Sequence, residues 1–287
     1  MSDNVQYQNN AQNNGWIPND TIVETDVQAD SSHRQGVFVG ESYESRVALG
    51  GVADRSSLTK YGNAPSGLQI TATDIWSRAD ATPTQQIWLA PTAQSIHTLA
   101  STSSDDDGAV IRLYGLSTWD SSETSQDITL PNGTTSGEVI IHRMKLLQTA
   151  AHPVLAGNVT ATAAAGQGGT VTAIILAGDN QTQMAIYGVP STKTALLYQW
   201  VFGIDKVSGA VASANFELRV NERPDLQTTG FIRKWNDSVQ STGASSKSVN
   251  FKFPLTFSGP CIIKIQGFSS AADIDGHASF ILELADN

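Results

Sequence analysis

The chain has 287 residues, a net charge of −10, only 15% charged residues and a single cysteine. That length can bury a large core, while 17 basic residues spread thinly leave no electrostatic footprint for nucleic acid or an anionic membrane, and one cysteine excludes an internal disulfide. Serine and threonine total 57 and glycine 24, which favours strands and turns over helices.

In chain order, residues 1–65 read as an extended N-terminal arm. The opening MSDNVQYQNNAQNN is polar and lacks the cationic and apolar regions of a signal peptide, so synthesis in a cytoplasm is expected. Its larger apolar residues stand singly, too sparse to offset their own ordering entropy. Trp16, Ile17, Val37, Phe38, Tyr43 and Tyr61 are therefore expected to anchor an arm that orders on assembly.

Residues 66–152 read as a first β domain, with strands expected at Leu68–Ala72, Gln85–Ala90, Ser95–Ala100, Ala109–Leu116, Gln126–Leu130 and Glu138–Leu147. Pro131-Asn132-Gly133 supplies a turn before the last of these. A boundary is expected at Pro153–Gly157. Residues 153–287 then read as a second β domain, with strands at Asn158–Ala164, Thr170–Leu176, Gln183–Val189, Ala195–Asp205, Ala214–Val220, Gly230–Trp235, Val249–Phe257, Cys261–Phe268 and His277–Leu284. The fold class expected is all-β: two antiparallel β-sandwich domains, jelly-roll-like, preceded by the arm.

Three C-terminal segments carry the clearest period-two alternation. Val249, Phe251, Phe253, Leu255 and Phe257 fall on one side of their segment; Cys261, Ile263 and Ile265 fall on one side of the next, with Ile262, Lys264 and Gln266 on a wet face. Phe280, Leu282 and Leu284 repeat the pattern, and in Ala195–Asp205 the apolar face is Leu196, Tyr198, Trp200, Phe202 and Ile204. Pro254 cannot donate to a ladder, so its strand is expected at an edge or with a bulge, covered by a neighbouring subunit.

No catalytic, metal or cofactor motif stands out. Asp105-Asp106-Asp107 lacks the alternating ligand pattern of a calcium loop and reads as a solvated hairpin tip. The five histidines, His142 among them, are scattered and read as structural. Gly166-Gln167-Gly168-Gly169 lacks the lysine of a phosphate loop. Cys261, in phase with Ile263 and Ile265, reads as a buried hydrophobe. Trp76, Trp119 and Trp235 are candidate exposed ligand aromatics, beside Asp74, Asp120 and Asp237, for stacking on sugar rings; enclosure between sheets or at a subunit contact explains them more cheaply. For a glycan hydrolase the available carboxylates are Glu217, Glu222 and Asp225.

Two passages carry a resemblance: AVIRLYGLSTWDSSETSQDITLPNGTTSGEVIIHRMKLLQ at Ala109–Gln148 and TAIILAGDNQTQMAIYGVPSTKTALLYQW at Thr172–Trp200. With GVFVGESYESRVALGG upstream and the strand-rich C-terminus, they resemble structural proteins of tailed bacteriophages, particularly those of marine bacteria. The resemblance implies a non-enzymatic virion component without cofactors, on head, neck or tail. The expected partners are copies of itself, a trimer first, and other virion proteins such as major capsid, portal or tail proteins. A capsid-decorating or head-fibre role leads; a tail- or collar-associated role, or recognition of a host glycan, is the alternative. The leading role expects apolar area at interfaces and no convergent polar pocket.

Overall fold

The computed structural model describes residues 23–27, 33–37, 42–78, 85–205, 212–226, 230–241, 244–271 and 274–287, the first two stretches by backbone pairing alone. Two compact units divide the chain, Met1–Ser56 and Ser57–Asn287. The first holds an antiparallel hairpin, β1 (Val23–Val27) with β2 (His33–Val37), and a short helix, α1 (Tyr43–Ala48). Ser42 caps that helix, its Oγ accepting from the Ser45 amide at 3.2 Å.

In the second unit the strands are β3 (Arg55–Leu68, which enters it at Ser57), β4 (Thr73–Asp74), β5 (His97–Ser101), β6 (Val110–Leu116), β7 (Thr124–Thr129), β8 (Ile140–Leu147), β9 (Val159–Ala163), β10 (Val171–Ile175), β11 (Ile186–Val189), β12 (Lys193–Asp205), β13 (Ala212–Asn221), β14 (Ile232–Ser241), β15 (Ser245–Ser258), β16 (Cys261–Ser269) and β17 (Ile274–Asp286). One sheet runs β15-β12-β17-β3. Its neighbour runs β11-β16-β13-β14, with β4 pairing to β16 beyond the end of β11. These two sheets meet through Phe202 of β12 and Phe216 of β13, whose ring centroids lie 5.0 Å apart, and Trp200 packs at a tilt against Phe202 at 4.4 Å. Between the first and second sandwich strands, β3 and β11, the chain inserts two three-stranded sheets, β10-β9-β5 and β7-β6-β8. Alternation builds these: Ile111 and Leu113 of β6 point inward, while Arg112 on the outer face meets its cross-strand partner Asp127 at 2.7 Å.

Strand existence matches the sequence reading through most of the chain, but the grouping differs. β3, placed in the arm by its sequence up to residue 65, is a sheet strand with Ala64 and Leu68 fully buried. Gln85–Ala90, expected as a strand, forms none. β9, placed after the boundary at Pro153, pairs with β5 on its other side and carries β10 on its far edge, and residues from both sides share one core. Sheet partners come from far along the sequence, which local alternation cannot specify.

Two expected faces also shift. β12 carries a register irregularity between Leu197 and Gln199 against both neighbours. The extra residue there, Tyr198, reverses the phase, so Ala195 and Leu197 point inward before it and Trp200, Phe202 and Ile204 after it. Tyr198 and Leu196 therefore leave the expected inner face. On β15 the same irregularity leaves Phe251–Pro254 between the pairs Leu197↔Leu255 and Gln199↔Asn250. The strand is both at an edge and bulged, as Pro254 demands, and Phe253, expected inside, is 80% exposed. β16 departs from its expected wet face altogether. It lies between β11 and β13, and Ile262, Lys264 and Gln266 are buried with the rest.

Candidate functional site

Where β3, β6, β8 and β11 converge, the protein holds a cavity of about 320 Å³. Its floor is Lys60, His142, Thr182 and Tyr187; its mouth is Tyr61, Glu123, Arg143 and Gln181. Sequence alternation puts Lys60 on the inner side of β3 with Gly62 and Ala64. Gly62 is required there because a Cβ would lie 2.3 Å from the Ala185 nitrogen.

The Lys60 ammonium is buried and donates to the His142 carbonyl oxygen. Burial drives its pKa down to about 7, with Glu123 pulling upward and Arg143 adding a smaller push down. His142, buried and stacked on Tyr187 at 4.5 Å, is held well below its ordinary pKa by burial and then by the Lys60 charge. It is therefore neutral at pH 7. Its Nδ1 accepts from the Gly188 amide at 3.3 Å, which assigns the ring proton to Nε2. That Nε2 has no hydrogen-bond partner among the described residues; Glu123 Oε2 is 3.5 Å away without hydrogen-bond geometry. Glu123 keeps two-fifths of its side chain in solvent, yet the walls around its carboxyl raise its pKa, with Lys60 and Arg143 drawing it back. Arg143 lies over the Tyr114 ring at 5.6 Å and donates to Gln181 Oε1 at 3.0 Å. A floor of hydrogen-bond donors with aromatic walls suits an anionic or carbonyl oxygen.

A second cavity, about 490 Å³, is walled by Ile87, Leu89, Pro91, Trp119, Phe231 and Ile262. Beneath it lies a buried polar network on Asp74. The carboxylate accepts from Lys264 Nζ at 2.6 Å, Gln266 Nε2 at 3.0 Å and the Trp88 amide at 2.8 Å. Lys264 also sits 4.2 Å from the Phe231 ring centroid, and Arg219 donates to Gln266 Oε1 at 2.6 Å. These pairings account for the charges buried under β16.

The expected ligand aromatics part company. Trp76 is fully buried, which corrects the reading of it as exposed, and its neighbour Asp74 is committed to Lys264. Trp119 lines the larger cavity, with Asp120 accepting from Ser191 Oγ at 2.6 Å. Trp235 is 42% exposed, packs edge-on against Phe251 at 5.3 Å, and has Asp237 beside it paired to Lys247. Glu217, Glu222 and Asp225 are engaged by Arg233, Lys234 and Arg223 respectively. Asp106 is no solvated tip: its buried carboxylate accepts from Ser101 Oγ and from the Ala156 and Gly157 amides at 2.8 and 2.9 Å.

Of the expected arm anchors, Trp16, Ile17 and Phe38 lie outside the described residues, and Val37 ends β2 with its side chain undescribed. Tyr43 is half-exposed on α1, and Tyr61 is half-exposed at the mouth of the Lys60 cavity. The convergent polar pocket is itself a departure from the expectation that none exists. Lys60, Glu123 and His142 were not linked in the sequence because they come from separate segments. The one local signal was a lysine at an inward position of an alternating strand.

No family model matches the chain, and no curated protein matches it. Among solved structures it is similar to a chain of the infectious bursal disease virus Gx strain, with 10% identity over 92% of this chain, 63% of that chain and a TM-score of 0.19. It is also similar to the T=1 particles derived from that virus, at 11% identity over 82% of this chain and 70% of that one, with a TM-score of 0.22. The VP2 subviral particle of the same virus gives 13% identity, 82% and 71% coverage, and a TM-score of 0.18. The chain thus spans less than two thirds of the first of these, and the scores fall short of a shared fold.

Proposed function

We propose that this protein is a structural component of a virus particle, non-enzymatic, attached to the capsid as a decoration or head-fibre protein through copies of itself and its N-terminal residues. The observation that carries this reading is the apolar edge formed by β14 and β15. Phe253 is 80% exposed, Ile232 50% and Trp235 42%, and Trp235 touches Phe251 across the two strands. Tyr198 and Ile281, 38% and 37% exposed, lie at the adjoining register irregularity. An exposed edge strand this apolar is a template for association, and β15 carries a bulge and a proline that direct the contact to side chains instead of ladder extension. Burying Phe253 in a subunit contact would contribute about 1.5–3 kcal/mol.

The strand order supports the same class. Counting β3 and β11–β17 as eight strands, one sheet holds the first, eighth, third and sixth, and the other the second, seventh, fourth and fifth. That order matches a jelly roll, a fold used by viral capsid domains and also by lectins and cupins. The resemblance of Ala109–Gln148 and Thr172–Trp200 to tailed-phage structural proteins points the same way. Sedimentation of the full chain tests the reading. The wild type is expected to self-associate with rising concentration, towards a trimer, and Phe253→Asp to remain monomeric. A wild type monomeric at every concentration, or association unchanged in Phe253→Asp, would overturn the β14–β15 contact.

A further inference from the structure

We propose that the cavity around Lys60 is a binding site for a sugar acid, a polyhydroxylated ring bearing one carboxylate. The charge count selects an anion. With Lys60 protonated, Lys60 and Arg143 bring two positive charges and Glu123 one negative, while His142 is neutral, so the lining then carries one positive charge in excess.

The hydrogen-bond count selects an acceptor. Lys60 is a buried ammonium with the His142 carbonyl oxygen as a partner, and the adjacent His142 Nε2–H has none among the described residues. Leaving a buried donor unmade costs about 1–3 kcal/mol. One carboxylate placed between the two would satisfy both, and Lys60 would regain the charge that burial suppresses. The rest of the lining selects a ring with hydroxyls. Tyr61 brings an aromatic ring to the mouth, and Glu123 and Gln181 offer polar atoms to hydroxyl groups. A volume of about 320 Å³ fits a single ring of this kind and not an extended chain. The cavity lies between the inserted sheets and the sandwich, away from β14 and β15, so its failure as a site would leave the assembly reading untouched.

Calorimetric titration of the full chain with D-glucuronate, D-glucose and acetate tests this. Saturable binding of glucuronate is expected, with acetate weaker and glucose not detected. Because the anion prefers protonated Lys60, affinity should fall above neutral pH, by up to about tenfold per pH unit. Lys60→Met should lose at least about tenfold in affinity. Arg143→Gln, at an exposed mouth position where folding is not at stake, should weaken glucuronate, with glucose still not detected. The proposal is overturned by glucuronate failing to bind, by acetate or glucose binding as tightly, by affinity that rises with pH, or by an Arg143→Gln protein that binds like the wild type.

Discussion

Replacing Lys60 with methionine removes a charge that the fold buries at a cost. The pKa falls from 10.5 to about 7 in the folded protein, which at about 1.4 kcal/mol per unit amounts to about 5 kcal/mol. The sign follows from proton counting. Below pH 7 both folded and unfolded chains hold the proton, and the whole penalty of burying the ammonium is present. Between about pH 7 and about pH 10.5 the unfolded chain holds more protons than the folded one, so wild-type stability rises with pH; above that window the penalty is gone. Methionine fills similar volume without the charge but loses the bond to the His142 carbonyl, worth about 1 kcal/mol. Lys60→Met should therefore exceed the wild type by up to about 4 kcal/mol near pH 6 and lose that advantage by about pH 10. Urea denaturation of both proteins across this range, with matched m-values, measures the difference directly. Two stability curves that run parallel over the whole window would refute the burial argument. So would a variant less stable than the wild type near pH 6.

Asp74→Ala should destabilise the fold by about 3–5 kcal/mol, because it strands the Lys264 ammonium under β16; adding Lys264→Met should recover most of that loss in the same denaturation assay. For Asp106, burial favours the neutral acid, but the bonds from Ser101, Ala156 and Gly157 and the nearby His152 outweigh it and hold the pKa below the ordinary carboxylate value. Its contribution is thus present above about pH 4 and lost as pH falls through the folded-state pKa, so the wild type should lose more stability on acidification than Asp106→Asn does. Burial lifts the Cys261 thiol to about 12. Iodoacetamide at mildly alkaline pH should leave it unmodified in the native protein and alkylate it on unfolding, as read by intact mass.

Strand existence was legible because period-two alternation reports burial of one face, a local property of each segment. β6, β9 and β17 alternate in sequence as they do in the fold. β16 shows the limit of that signal. Its Lys264 and Gln266 look like a wet face, yet Asp74, 190 positions before Lys264, supplies the partner that lets them be buried. The Tyr198 bulge is silent for a similar reason, since alternation within β12 continues through it and only the pairing with β15 and β17 reveals the slip. The Lys60 cavity was invisible because its donors and acid lie on β3, β8 and the loop before β7, each unremarkable alone.

The sequence by itself determined an all-β chain, the position of most strands, the turn at Pro131-Asn132-Gly133 and the edge character imposed by Pro254. Tertiary structure alone decided that β3 and β17 share a sheet across the inserted strands, which apolar residues remain exposed at β14 and β15, and that Lys60, Glu123 and His142 meet. The physical reason is range. Alternation and turn chemistry act between near neighbours, whereas sheet order, buried charge pairing and cavities depend on which distant edges the chain brings together.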